Sequence, residues 1–151
     1  MFERFTDEAR RAVDLAREEA QLRRRRSIDA VDLLLGVLRE GGGVGAKVLT
    51  SIGITLEAAR RESRGSADAG GRTTQIGDAS FSGRARRVLE ASIDEAEDLG
   101  YTIVGTGHLV LGLLREGDLA RDPVLERLGA PHDHVRAQVT RLLSALSGPP
   151  I

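Results

Sequence analysis

Nine residues, Leu33-Leu34-Leu35-Gly36-Val37-Leu38-Arg39-Glu40-Gly41, return almost unchanged as Leu109-Val110-Leu111-Gly112-Leu113-Leu114-Arg115-Glu116-Gly117. The offset of 76 residues carries outward without insertion from Phe5/Phe81 to Arg60/Arg136, and the pairs Ala9/Ala85, Arg10/Arg86, Glu19/Glu95, Ala20/Ala96, Val48/Val124 and Gly53/Gly129 are identical. The chain is therefore a duplication. Two copies are too few for an open solenoid, so they are expected to close on each other as one pseudo-twofold domain.

The residue types inside the repeat select its secondary structure. Ala, Leu, Arg and Glu dominate, aromatics are 3% of the chain, and β-branched runs are scarce, which favours helix. Each copy of the nine-residue signature reads as an apolar helix that ends in an Arg-Glu step and a Gly, the residue that most readily takes the left-handed closing conformation. The expected class is all-α, with a core of small and aliphatic side chains.

The first helix caps at Thr6, carries Asp7 and Glu8 in its opening turn, and runs to about residue 22. Its Ala9, Ala12, Val13, Ala16 and Ala20 recur at helical spacing, and such small side chains let a neighbouring helix approach closely. Asp29 caps the signature helix, and short helices over 45–51 and 55–64 complete repeat 1 (5–64). Residues 65–80, rich in Gly, Ser, Asp and Thr, read as a mobile linker. Repeat 2 (81–146) follows the same plan from a Ser82 cap, with helices over 83–99, 106–115, 123–128 and 132–146, Asp122 and Pro123 opening the third. One domain thus spans 1–145, with 147–151 a flexible tail.

Several function classes find no support. Without cysteine there is no thiol nucleophile or thiolate metal site, and His132 and His134, two apart at a helix start, do not share a face, so no metal is expected. Gly41-Gly42-Gly43-Val44-Gly45-Ala46-Lys47-Val48 follows a helix rather than a strand, and Ala46 and Val48 flank its Lys where a phosphate loop needs Gly and Ser or Thr. No carboxylate spacing or nucleophile elbow suggests an enzyme, and no cofactor is expected. A net charge of −1 gives no global pull toward nucleic acid or membrane. The run Arg23 to Arg26, without stacking aromatics and close to Glu18, Glu19, Asp29 and Asp32, reads as a solvated helix end or a contact for an acidic protein. No apolar leader opens the chain and no run of 18 apolar residues occurs, so the expected address is the cytoplasm.

A pair of four-helix units opening Met1-Phe2-Glu3-Arg4-Phe5-Thr6 and carrying the Leu-Gly-x-Leu-Arg-Glu-Gly signature twice resembles the N-terminal domain of ClpC-type Hsp100 unfoldases over about residues 1–145. The resemblance implies a non-catalytic domain that receives substrate peptides, adaptor proteins and, in actinobacterial members, macrocyclic peptide antibiotics. With no Walker A sequence in the chain, it implies a free-standing binding module acting as decoy or adaptor in the ClpC system. The alternative is a regulator that docks on the ClpC unfoldase and its protease.

The same resemblance assigns residues. Its peptide and antibiotic surface falls on Phe2, Arg10 and Val13 in repeat 1 and on Phe81, Arg86 and Glu90 in repeat 2, with Asp14 and Arg17 bordering the first helix's face. Two Phe rings flanked by Arg would clamp an apolar peptide. Phosphoarginine-reading members carry Glu in an Ile-Gly-Thr-Glu-His stretch at the start of the signature helix. Here Val31 and Gly107 stand at those positions, which argues against that ligand.

Overall fold

A computed structural model describes residues 1–65, 72–120 and 124–147. Thr6 and Ser82, one repeat apart, each accept the N–H three residues on, from Ala9 and Ala85 at 3.1 Å, and so open α1 (Asp7–Leu22) and α5 (Gly83–Asp98). Around them lie α2 (Ala30–Glu40), α3 (Val44–Ile52) and α4 (Leu56–Gly65) in repeat 1, and α6 (Thr106–Ala120), α7 (Val124–Arg127) and α8 (His132–Ser147) in repeat 2. Among the described residues the fold is all-α but for one hairpin between the repeats, β1 (Thr73–Ile76) and β2 (Ala79–Ser82).

The two signature helices form the centre. Leu33, Leu34, Leu35 and Val37 of α2, and Leu109, Val110 and Leu111 of α6, are buried, and the two helices touch each other. Their glycines explain why the signature repeats so faithfully. A Cβ on Gly36 would fall on the Ala12 carbonyl oxygen, and one on Gly112 would stand 2.6 Å from the equivalent Val88 carbonyl oxygen. Gly36 and Gly112 thus let α2 and α6 press onto the small-residue faces of α1 and α5.

The repeats are stitched by a reciprocal exchange of backbone bonds. Thr6 N–H donates to Val104 O at 2.9 Å and Val104 N–H to Arg4 O at 2.8 Å; one repeat on, Ser82 N–H donates to Ile28 O and Ile28 N–H to Ser80 O, both at 2.8 Å. Each repeat's opening strand segment therefore pairs with the other's loop, which is the pseudo-twofold expected from the duplication. Buried charge is duplicated too. Glu19 accepts from Arg60 at 2.7 Å with Arg39 at 3.6 Å, and Glu95 accepts from both ends of Arg136, at 3.1 and 2.9 Å, with Arg115 at 3.9 Å. Such a carboxylate ties the first, second and fourth helices of its unit together.

Three expectations are corrected. Of the 65–80 segment read as a linker, residues 66–71 lie outside the described residues, and Thr73 onward forms the hairpin; β-branched Thr73, Thr74 and Ile76 favour strand, and the two-residue Gly77-Asp78 turn, with positive φ only at Gly77 (64°), matches the twist of a hairpin. Gly41 does close α2 at φ 77°, but Gly117 lies inside α6, which continues to Ala120. Gly41 is followed by two further glycines, and Glu40 turns back to accept Gly43 N–H at 2.8 Å, whereas Asp118-Leu119-Ala120 can continue a helix. The run Arg23 to Arg26 is not wholly solvated, because Arg23 pairs with buried Asp32 and Arg25 with Asp29 at 3.6 Å. Asp122, Pro123 and the tail from residue 148 lie outside the described residues.

Candidate functional site

One cleft gathers most of the residues assigned from the resemblance. Its wall is the face of α1 carrying Arg10, Val13, Asp14 and Arg17; the opposite lip is the hairpin turn, Ile76 to Ala79, and Phe2 closes one end. Its volume is about 270 Å³, near the lower limit of small-ligand sites, and it is open to solvent on one side.

Both flanks are held by arginines of α1. Arg10 donates from Nε to the Phe2 carbonyl at 3.2 Å and from a terminal nitrogen to the Glu3 carbonyl at 3.1 Å, which fixes the N-terminal arm over the helix. Arg17 grips the hairpin turn twice, reaching the Asp78 carbonyl and the Asp78 carboxylate, each at 3.1 Å. The bond from Arg17 and its charge hold the exposed Asp78 carboxyl below its usual range. Arg10 and Arg17 are positioning residues for the two lips.

The aromatic residues divide their roles. Phe81 is fully buried and forms the floor beside Ile28, so it does not clamp a ligand from the surface as a free ring would. Its backbone bridge to Ile28 ties β2 to the segment before α2. Phe2 is half-buried, with its ring 5.1 Å from Phe5 and 6.0 Å from Phe81, and remains the aromatic that a ligand can reach. Phe5, at 4% exposure, is a plug of the core.

Arg86 and Glu90 do not line this cleft. They pair with each other at 2.7 Å on α5, each side chain about half exposed. They are the repeat counterparts of Arg10 and Asp14. The residues that sequence reasoning missed are Ile28 and the hairpin turn from Ile76 to Ala79, whose signal was the Gly-Asp pair between two short alternating runs.

Neither Val31 nor Gly107, the compared positions at the starts of the signature helices, presents a carboxylate or has room for one, although a depression of about 290 Å³ lined by Glu8, Gly105, Gly107 and His108 lies beside the start of α6. Val31 is 5% exposed, and a Cβ on Gly107 would stand 2.9 Å from Val44 and 3.3 Å from Val139. At this point the repeats use different chemistry for one task. Asp32 Oδ2 accepts Asp29 N–H at 2.8 Å, and its counterpart His108 accepts Gly105 N–H on Nδ1 at 3.0 Å. Burial pushes His108 down to about 4, with the Glu95 charge opposing weakly. It is thus neutral at pH 7, with its proton on Nε2.

The Clp repeat (R) N-terminal domain family matches the chain twice, over residues 4–122 and 80–149. The chain belongs to the Clp N-terminal domain family. It is 43% identical over 143 residues to the chloroplastic ClpA homolog of Brassica napus and equally to the chloroplastic chaperone protein ClpC1 of Oryza sativa subsp. japonica. Each alignment covers 95% of this chain and 16% of the relative, so this Clp N-domain spans about one sixth of the curated relatives' length. The N-terminal domain of the Clp-protease-associated chaperone ClpD from Arabidopsis thaliana superposes with a TM-score of 0.73 at 28% identity, over 95% of this chain and 97% of that one. The Hsp104 N-terminal domain of Candida albicans, also at TM-score 0.73 but 17% identical, shares the fold. Among the described residues no helix is long and apolar enough to cross a membrane.

Proposed function

We propose that this Clp N-domain is a non-catalytic binding module whose α1–hairpin cleft captures apolar peptide segments of substrates and adaptor proteins, and macrocyclic peptide antibiotics, of the ClpC system. The observation that carries the reading is the cleft itself. A reachable Phe2 stands over an apolar floor of Val13, Ile28 and Phe81, with both lips pinned by arginines. Aromatic anchors beside a desolvated floor are where binding energy concentrates.

Capture needs only occupancy, so a module of this kind acts as a decoy or an adaptor according to its concentration and affinity relative to the true target. Phosphoarginine is not its ligand in this reading, since Val31 and Gly107 offer neither a carboxylate nor room for one. The cytoplasmic address is part of the proposal, although the Brassica napus and Oryza sativa relatives are chloroplastic.

Calorimetric titration with a macrocyclic peptide antibiotic tests this. Phe2→Ala should weaken binding about five- to thirtyfold, the equivalent of 1 to 2 kcal/mol for one anchor. Phe81→Ala is the wrong probe, because removing a fully buried ring costs about 3 to 5 kcal/mol of stability. An affinity indifferent to Phe2, or heat from free phosphoarginine instead, defeats the assignment. Co-elution with an intact ClpC hexamer in the absence of ligand would favour the docking regulator.

A further inference from the structure

The α1 stripe that walls the cleft continues beyond it. Arg10, Val13, Asp14 and Arg17 line the Phe2 cleft, while Arg17, Ala20 and Gln21 line a second depression of about 280 Å³. Spacings of three and four residues keep all six on one helix face. The depressions share Ile28, Ala79 and the Arg17–Asp78 pair, so they adjoin as the two ends of a surface trough that this ion pair crosses at its waist.

Chemical character changes across the waist. The Phe2 end has an apolar base of Val13, Ile28, Ile76 and Phe81 beneath charged edges of both signs, whereas the far end is edged by Arg25, Arg26, Gln21 and Gln75. The acids there already hold cations, Asp78 with Arg17 and Asp29 with Arg25. Arg26 is exposed and makes no ion pair among the described residues. Repeat 2 has no such end, for Tyr101 and Thr102 stand where repeat 1 has Arg25 and Arg26.

Val13 at the Phe2 end and Gln21, which lines the far depression together with Arg26, are eight residues apart on α1, about 12 Å of helix. An extended peptide covers that in about three or four residues. Resting on the reading of the cleft as a peptide site, we propose that the trough takes an extended peptide bearing a carboxylate three or four residues from its apolar anchor, the carboxylate meeting Arg26.

The test uses fluorescein-labelled peptides with one Phe anchor and, four residues away in either chain direction, Asp or Asn, plus a pair ending there in a free carboxylate or an amide. Fluorescence anisotropy should show the carboxylate peptide in at least one direction binding about two- to fivefold tighter than its neutral partner at low salt. That ratio should shrink as salt rises, invert with Arg26→Glu and survive Arg26→Lys. A contrast confined to the free terminus assigns the carboxylate to a chain end; one seen with Asp assigns it to a side chain. Equal affinities for every charged and neutral pair, with binding still dependent on Phe2, overturn the carboxylate proposal and leave the cleft reading standing. Binding of all peptides indifferent to Phe2→Ala overturns the cleft reading itself.

Discussion

At the end of α1 the chain turns through Arg24 at φ 58°, and at the end of α5 it makes the same turn through Gly100 at φ 83°. Both turns return an N–H to the helix, Arg25 to Ala20 O at 2.9 Å and Tyr101 to Ala96 O at 2.8 Å. A few residues on, Asp32 and His108 cap equivalent backbone groups with different side chains. Between these variable points stand positions that have not moved, namely Gly36 and Gly112 under a neighbouring backbone, and Glu19 and Glu95 each shared by two arginines. Duplication has kept what the packing of three helices constrains together and has let single-bond tasks change hands. The cleft belongs to the second kind. Only the α1 stripe is flanked by both the Phe2 arm and the hairpin, while Arg86 and Glu90, the α5 counterparts of Arg10 and Asp14, close on each other.

The largest expected effect tests the shared frame. Gly36→Ala and Gly112→Ala should each cost about 3 kcal/mol in denaturant unfolding, since the new methyl meets carbonyl and amide backbone at both sites, and at Gly112 the Ser92 hydroxyl as well. A loss in one repeat alone would break the equivalence drawn here.

Next comes pH, which should act through repeat 2. His108 is held near 4 by burial against an ordinary 6.5, so its neutral form stabilises the fold fully above pH 6.5. That contribution is lost as pH falls toward 4, by roughly 3 kcal/mol. His108→Asn keeps an acceptor for Gly105 N–H and removes the titration, so the difference in pH slope between it and the unsubstituted chain isolates this group. Identical slopes would contradict the buried neutral imidazole.

The smallest effect distinguishes the two turns. Arg24→Gly should gain about 1 kcal/mol and Gly100→Arg should lose about as much, because only glycine takes positive φ without cost. Equal melting temperatures for all three chains would show that Arg24 recovers its strain elsewhere.

The helical frame was legible because its signal is periodic and stated twice. The Thr6 and Ser82 caps, the close approach permitted by Ala9, Ala12 and Ala16, and the break at Gly53 (φ 98°) all follow from local chemistry. The hairpin was not read, because four-residue strands within a Gly- and Ser-rich segment carry too few alternations to stand out. Nor does one-dimensional sequence show that Arg23 and Arg25 turn inward to acids that follow a tight turn. For the cleft, the resemblance names Phe2, Arg10, Val13, Asp14, Arg17 and Phe81, and these residues line one depression. It left the hairpin lip unnamed, and Phe81 proved to be floor rather than clamp.

Amide chemical-shift mapping of the isotope-labelled chain with a macrocyclic peptide antibiotic tests the central claim most directly. Perturbations centred on Phe2, Val13, Arg17 and the Gly77-Asp78 turn are the expected result. Perturbations centred instead on the starts of α2 and α6, around Val31 and Gly107, would contradict it and move the site to the helix termini.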